Sequence, residues 1–240
     1  MSTETLSNQL RPAQHTAAKV VGVLYVVQMA LAILAESFLR GQIIVAGNAM
    51  QTAANITASE RLFRLSLAND LVLYASVIVL VCGLYVILKP INSTLALLAA
   101  FLRLVENAIL SVSILGAFAA LAFLSGADYL RAFDSGQLQA MVQTALRVYG
   151  GGFKIGFVFL GFGSTVFSYL WLKSRYIPRV LAAWGIFSSL VLSIVTVIII
   201  VFPSVGSALG LTYMAPMFFY EVGLGLWLLI KGLRTSASGV

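Results

Sequence analysis

Apolar residues along this chain gather into six runs, each about as long as the roughly twenty helical residues that cross a bilayer core. The first spans about residues 18–39, and its apolar stretch is longer than the core of a cleavable signal peptide. Residues 40–57 alternate polar and apolar positions and are expected as a loop. Thr57-Ala58-Ser59-Glu60 then matches a capping box, placing a helix start just before Arg61 and a second span over about 62–88. Lys89-Pro90-Ile91-Asn92 is a tight turn, because proline cannot continue helical hydrogen bonding.

The third run, about 93–124, would be roughly 48 Å long as one helix, against a hydrocarbon core of about 30 Å. It is expected to tilt, kink near Gly116 or protrude. Residues 125–148 form a second long connection. Asp134 and Gln137 stand as a cap ahead of Leu138, Met141, Val142, Ala145 and Val148, an apolar stripe that predicts a short interfacial helix lying on the membrane. The remaining spans are expected over about 149–172, 180–202 and 209–230. A polar tail (1–17) and a C-terminal tail (233–240) flank the six-helix domain, 18–232. The fold class is therefore all-α, a polytopic membrane protein of six transmembrane helices.

Composition narrows the class further. Of 240 residues, 60% are hydrophobic and only 10% charged, with a mean hydropathy of +1.00. A water-soluble domain carries about 25% charged residues. The net charge of +7 comes from bases scattered at helix ends, without the aromatic-interleaved cluster that nucleic-acid binding needs, so no nucleic acid is expected. The lone Cys82 excludes an intramolecular disulfide and a cysteine-based metal site, and the lone His15 lies ahead of the first span. No metal, cofactor or catalytic residue is assigned.

Basic residues favour cytoplasmic segments. The N-terminal side of the six-span arrangement carries Arg11, Lys19, Lys89, Lys173, Arg175, Arg179, Lys231 and Arg234 with a single acid, Glu4. The other side carries Arg40, Arg61, Arg64, Arg131 and Arg147 against Glu36, Glu60, Asp128 and Asp134. The bias predicts both N and C termini in the cytoplasm and the two long loops outside. Trp171, Trp184 and Trp227 near cytoplasmic helix ends are expected as an interfacial aromatic belt.

Several stretches resemble one family. They are Gly22-Val23-Leu24-Tyr25, Leu62-Phe63-Arg64 leading to Asp70-Leu71, Leu84 through Asn92, Phe101-Leu102-Arg103-Leu104-Val105-Glu106, Ile177-Pro178-Arg179 and Trp184-Gly185. As a set they are similar to the DUF4386 family of bacterial membrane proteins of unknown function. The resemblance covers most of the chain and implies a multi-pass protein of the bacterial inner membrane. It brings no reaction.

The candidate chemistry is in the ionisable residues inside the runs, each of which costs from about 2.5 kcal/mol upward at mid-bilayer and so needs a partner or a purpose. Asp70 and Tyr74 lie on the second helix, Arg103, Glu106 and Asn107 on the third, Lys154 on the fourth and Glu221 on the sixth. Arg103 and Glu106 are three apart and can pair. The acids outnumber the bases by one, and Glu221 has no basic neighbour on its own helix. These seven residues are the expected lining of an interior polar pocket. The bland alternative is that they glue helices together. Gly152 and Gly156, a small-xxx-small pair, and Gly163 are expected at close helix contacts. Pro216 is expected to loosen the backbone ahead of Glu221.

Three functions follow. The first is binding or transport of a small molecule or lipid. The second is a structural or signalling subunit contacting a partner membrane protein, or a homo-oligomer. The third, an intramembrane enzyme using carboxylates as acid and base, has the least support. Beyond the lipid bilayer itself, the partners expected are a small-molecule or lipid ligand or a partner subunit.

Overall fold

The computed structural model describes residues 12–45 and 48–234; the start of the polar tail with Glu4 and Arg11, Gly47 of the first loop and residues 235–240 lie outside them. Among the described residues every regular element is helical, in the order α1 (Pro12–Leu34), α2 (Ala49–Ala58), α3 (Glu60–Leu88), α4 (Ser93–Phe123), α5 (Ser135–Ser174), α6 (Arg179–Val201), α7 (Pro203–Leu209) and α8 (Ala215–Ile230). A π-helical turn, Ala35–Leu39, extends α1, and short 3-10 turns precede α5 and α8. Six helices are long and apolar enough to cross a membrane: Pro12–Leu39, Glu60–Leu88, Ser93–Phe123, Ser135–Ser174, Arg179–Val201 and Thr212–Ile230.

The burial pattern of α6 differs from that of a helix in a water-soluble bundle. In a bilayer, large apolar side chains gain nothing by turning inward, whereas small residues let helices approach and hydroxyls find backbone acceptors. The buried face of α6 accordingly reads Ala182, Gly185, Ser188, Ser189, Leu192, Ser193, Thr196 and Ile199. Its outer face carries Val180, Phe187, Ile194 and Val201. The same logic buries Gln14, Ala18, Val21, Gly22, Tyr25 and Gln28 on α1.

The chain divides into two compact units whose boundary falls inside α1, α3, α4 and α5. The first unit comprises residues 1–29, 76–106 and 157–240. In it α6 packs along α8, and the exposed Trp184 donates its indole N–H to the Pro216 carbonyl at 3.1 Å. Pro216 stands in the first turn of α8, where its missing N–H interrupts no helical hydrogen bond. It starts the helix rather than loosening it. Trp171 is wholly buried, so it belongs to the interior and not to an interfacial belt. At the C-terminal end Leu233 is buried, the Arg234 amide donates to the Tyr176 carbonyl at 2.8 Å, and the Arg234 guanidinium covers the Trp227 ring at 4.9 Å.

The second unit comprises residues 30–75 and 107–156. Its core joins Ile56, Phe63, Leu67, Leu110, Ile114, Ala117, Leu121 and Tyr149. Three expectations change here. The first loop contains a helix, α2, started by Asn48, whose side chain accepts from the Gln51 amide at 3.0 Å. Thr57 does not cap the next helix, because its hydroxyl donates back to the Ala53 carbonyl at 3.0 Å within α2. The interfacial helix and the fourth span are one continuous helix, α5.

The Asp134–Gln137 cap does start α5, with the Gln137 amide donating to Asp134 Oδ1 at 2.8 Å and the Asp134 amide donating to Gln137 Oε1 at 3.0 Å. Nothing then interrupts the helix, and its 40 residues extend about 60 Å. Part of the apolar stripe turns inward: Val142 and Ala145 pack with Ala53 and Ala120, while Val148 is exposed. Helix α4 is also unbroken at Gly116. That glycine serves contact instead, since a Cβ there would come within 2.7 Å of the Ala145 carbonyl oxygen and 2.8 Å of the Tyr149 nitrogen.

Candidate functional site

In the first unit, α4 turns Arg103 and Glu106 to one buried face, one helical turn apart. Arg103 Nη1 stands 3.0 Å from Glu106 Oε2. The contact has the distance of an ion pair but not the angles of a hydrogen bond, so both atoms are buried without a hydrogen-bond partner. Glu221 on α8 and Tyr25 on α1 lie within electrostatic reach of Arg103. Glu221 is 8% exposed, and among the described residues it forms neither a hydrogen bond nor an ion pair. Beside it, Tyr220 is 2% exposed, and a hydrogen bond of 3.0 Å joins its hydroxyl to that of Ser168 on α5.

Glycines on three helices hold this group. A Cβ at Gly163 would come within 2.9 Å of Arg103 Cγ, one at Gly225 within 2.9 Å of Tyr25 Cβ, and one at Gly185 within 2.6 Å of Ser168 Oγ, against the Tyr220 ring. The bulky polar side chains thus lie flat on bare backbone, the small-residue packing that membrane helices favour.

The second unit holds a different arrangement. The π-turn closes with the Arg40 amide on the Ala35 carbonyl at 2.9 Å. The wider turn brings Arg40 inward, and a Cβ at Gly41 would overlap the Glu36 carbonyl. Arg40 Nη1 donates to Asp70 Oδ2 at 2.5 Å and to the Tyr149 hydroxyl at 2.6 Å, and Tyr149 in turn donates to Asp70 at 3.0 Å. Glu36 accepts from Arg40 at 2.7–2.8 Å, and the guanidinium stands 5.6 Å from the Phe153 ring centroid. Of the two acids on Arg40, Asp70 is buried and Glu36 is half-exposed to solvent, so the buried charges pair one to one.

The seven residues expected from the sequence therefore have different surroundings. Arg103, Glu106 and Glu221 gather in the first unit. Asp70, Tyr74 and Asn107 are buried in the second; Asp70 belongs to the Arg40 network, and the Asn107 side-chain amide donates to the Tyr74 carbonyl at 3.0 Å. Lys154, also in the second unit, is exposed. Gly152 serves close packing, its face filled by Ser113. A cleft of about 400 Å³ in the first unit is lined by Ala13, Gln14, Tyr85, Val86, Lys89, Pro90 and Ser93, and by none of the seven.

Arg40, Tyr25, Tyr149 and Ser168 were not expected. Arg40 follows Glu36 by four residues at a helix end, a pairing signal legible in the sequence. Tyr25 lies on the buried face of α1 with Gln14 and Gln28, polar residues recurring at helical spacing in an apolar run.

An all-helical chain with six membrane-length apolar helices and charged groups buried between them has the architecture of a multi-pass membrane protein. It belongs to the DUF4386 family, a domain of unknown function, whose model matches residues 20–232. No curated protein and no solved structure matches the chain.

Proposed function

We propose that this is a multi-pass protein of the bacterial inner membrane that binds or carries a small molecule or lipid through the buried polar group of Arg103, Glu106 and Glu221. The observation that supports it is the surplus carboxylate. A charge pair kept only to join helices needs one buried acid for one base, as Asp70 answers Arg40 while the second acid there, Glu36, is half-exposed to solvent. Glu221 is buried beside a pair that already satisfies its own charges, and nothing in that pair requires a second acid. Buried ionisable groups without a structural partner in a membrane interior mark ligand or ion pathways. The basic bias of Lys89, Lys173, Arg175, Arg179, Lys231 and Arg234 supports placing both termini in the cytoplasm.

The test is thermal stabilisation of the purified protein by a panel of small polar solutes and bilayer lipids. A ligand at a hundred times its Kd adds about 2.7 kcal/mol to the folded state. A solute that stabilises the wild type should lose its effect in folded Arg103→Ala and Glu221→Gln variants. Full retention in both would refute the site.

The one-to-one pairing of the buried Asp70 with Arg40 favours a structural role for the second unit, tying the turn after α1 to α3 and α5.

A further inference from the structure

We propose that the Glu221 carboxylate is a proton-binding site, and that a proton is the ligand this group holds when its helices are packed as they are here. This rests on the reading of the group as a functional site and names the smallest ligand that site takes.

The charge balance comes first. The titratable groups around Glu221 are Tyr25 from α1, Arg103 and Glu106 from α4, and Tyr220 on its own helix. Helix α5 contributes the Ser168 hydroxyl on Tyr220, and α6 contributes the Gly185 backbone with the hydroxyls of Ser188 and Ser189 at Met217. Arg103 is the one cation in this set, and it already stands at 3.0 Å from Glu106. Two carboxylates sharing a buried site with one counter-charge do not both ionise, because the second negative charge is unmatched in a poorly polarisable medium. One proton makes the group neutral.

The lack of a partner comes second. Glu106 has Arg103, whereas Glu221 has neither a hydrogen bond nor an ion pair among the described residues, so Glu221 is the acid left to take the proton. Packing comes third. The bare helix faces at Gly163, Gly185 and Gly225 are covered by Arg103, Tyr220 and Tyr25, which hold the group in place around the carboxylate. The chemistry is a reversible acid–base step: an O–H bond forms on a Glu221 oxygen with a proton drawn from water and breaks when it returns, and no electron is transferred.

Infrared spectroscopy on the full-length protein in lipid bilayers tests this. The wild type should show a protonated-carboxyl C=O band that shifts in heavy water and persists at about pH 8, where exposed carboxyls are ionised. Glu221→Asp should move the band, and Glu106→Asp should leave it in place. A band that moves with Glu106→Asp and not with Glu221→Asp would overturn the assignment. So would the absence of any such band in the wild type, a result that needs no variant. The band supports the proton even where the solute panel finds no ligand, and its absence overturns the proton whatever that panel returns.

Discussion

Replacing Asp70 with alanine should destabilise the fold by about 3 kcal/mol. The Asp70 side chain is 3% exposed and the Arg40 side chain 9%, so the pair is almost fully removed from solvent. Breaking a buried pair by removing one partner costs about 3–5 kcal/mol, because the remaining charge stays buried. Here Arg40 keeps Glu36 at 2.7 Å, but the Glu36 side chain is 53% exposed and compensates only in part, which places the loss at the lower end. The assay is reversible denaturant unfolding of the purified protein in mixed micelles. Glu60→Ala is the internal comparison: the Glu60–Arg64 pair has the same 2.7 Å contact with both side chains 53% exposed, and its loss should cost no more than about 0.5 kcal/mol. Equal stability of Asp70→Ala and Glu60→Ala would refute the claim that burial makes the Arg40 network matter. The double variant Arg40→Met with Asp70→Leu should recover most of the loss, since an apolar pair leaves no charge behind.

Two further outcomes follow from the same structure. Gly185→Val should cost about 1–3 kcal/mol in the same unfolding assay, because the added carbons meet the Tyr220 ring and Ser168 Oγ with no free volume to enter. In a Cys82→Ser background, single cysteines at Asn48 or Asp128 should react with an impermeant thiol reagent on intact cells, and those at Asn92 or Arg175 only after permeabilisation; the reverse pattern would invert the proposed orientation.

The helices are legible in the sequence because a bilayer demands long apolar runs. Their ends are not. Residues 135–148 carry the amphipathic stripe of an interfacial helix, but Val142 and Ala145 have a protein surface to cover, and no proline follows to separate them from the span. Helix α2 was missed although Asn48 and Gln51 carry the same three-residue spacing that marked α5 at Asp134 and Gln137. For the site, intrahelical spacing identified the Arg103–Glu106 pair, since i,i+3 neighbours meet whatever the fold. Which helix answers Asp70 depends on the π-turn at Ala35–Leu39, a local widening that no hydrophobic period encodes. Tyr25 and Ser168 were hidden for a related reason: the glycines that seat such side chains announce close approach but not to what.

The role of Glu221 can be measured without knowing a ligand, through the unfolding stability of Glu221→Gln in bilayer-like micelles. If the carboxylate is kept for function, its replacement by a neutral side chain of the same shape should leave stability unchanged or raise it by up to about 2 kcal/mol, as when a site's own strain is relieved. A loss of about 1–3 kcal/mol, the cost of removing a satisfied buried polar partner, would contradict that role and make Glu221 part of the scaffold.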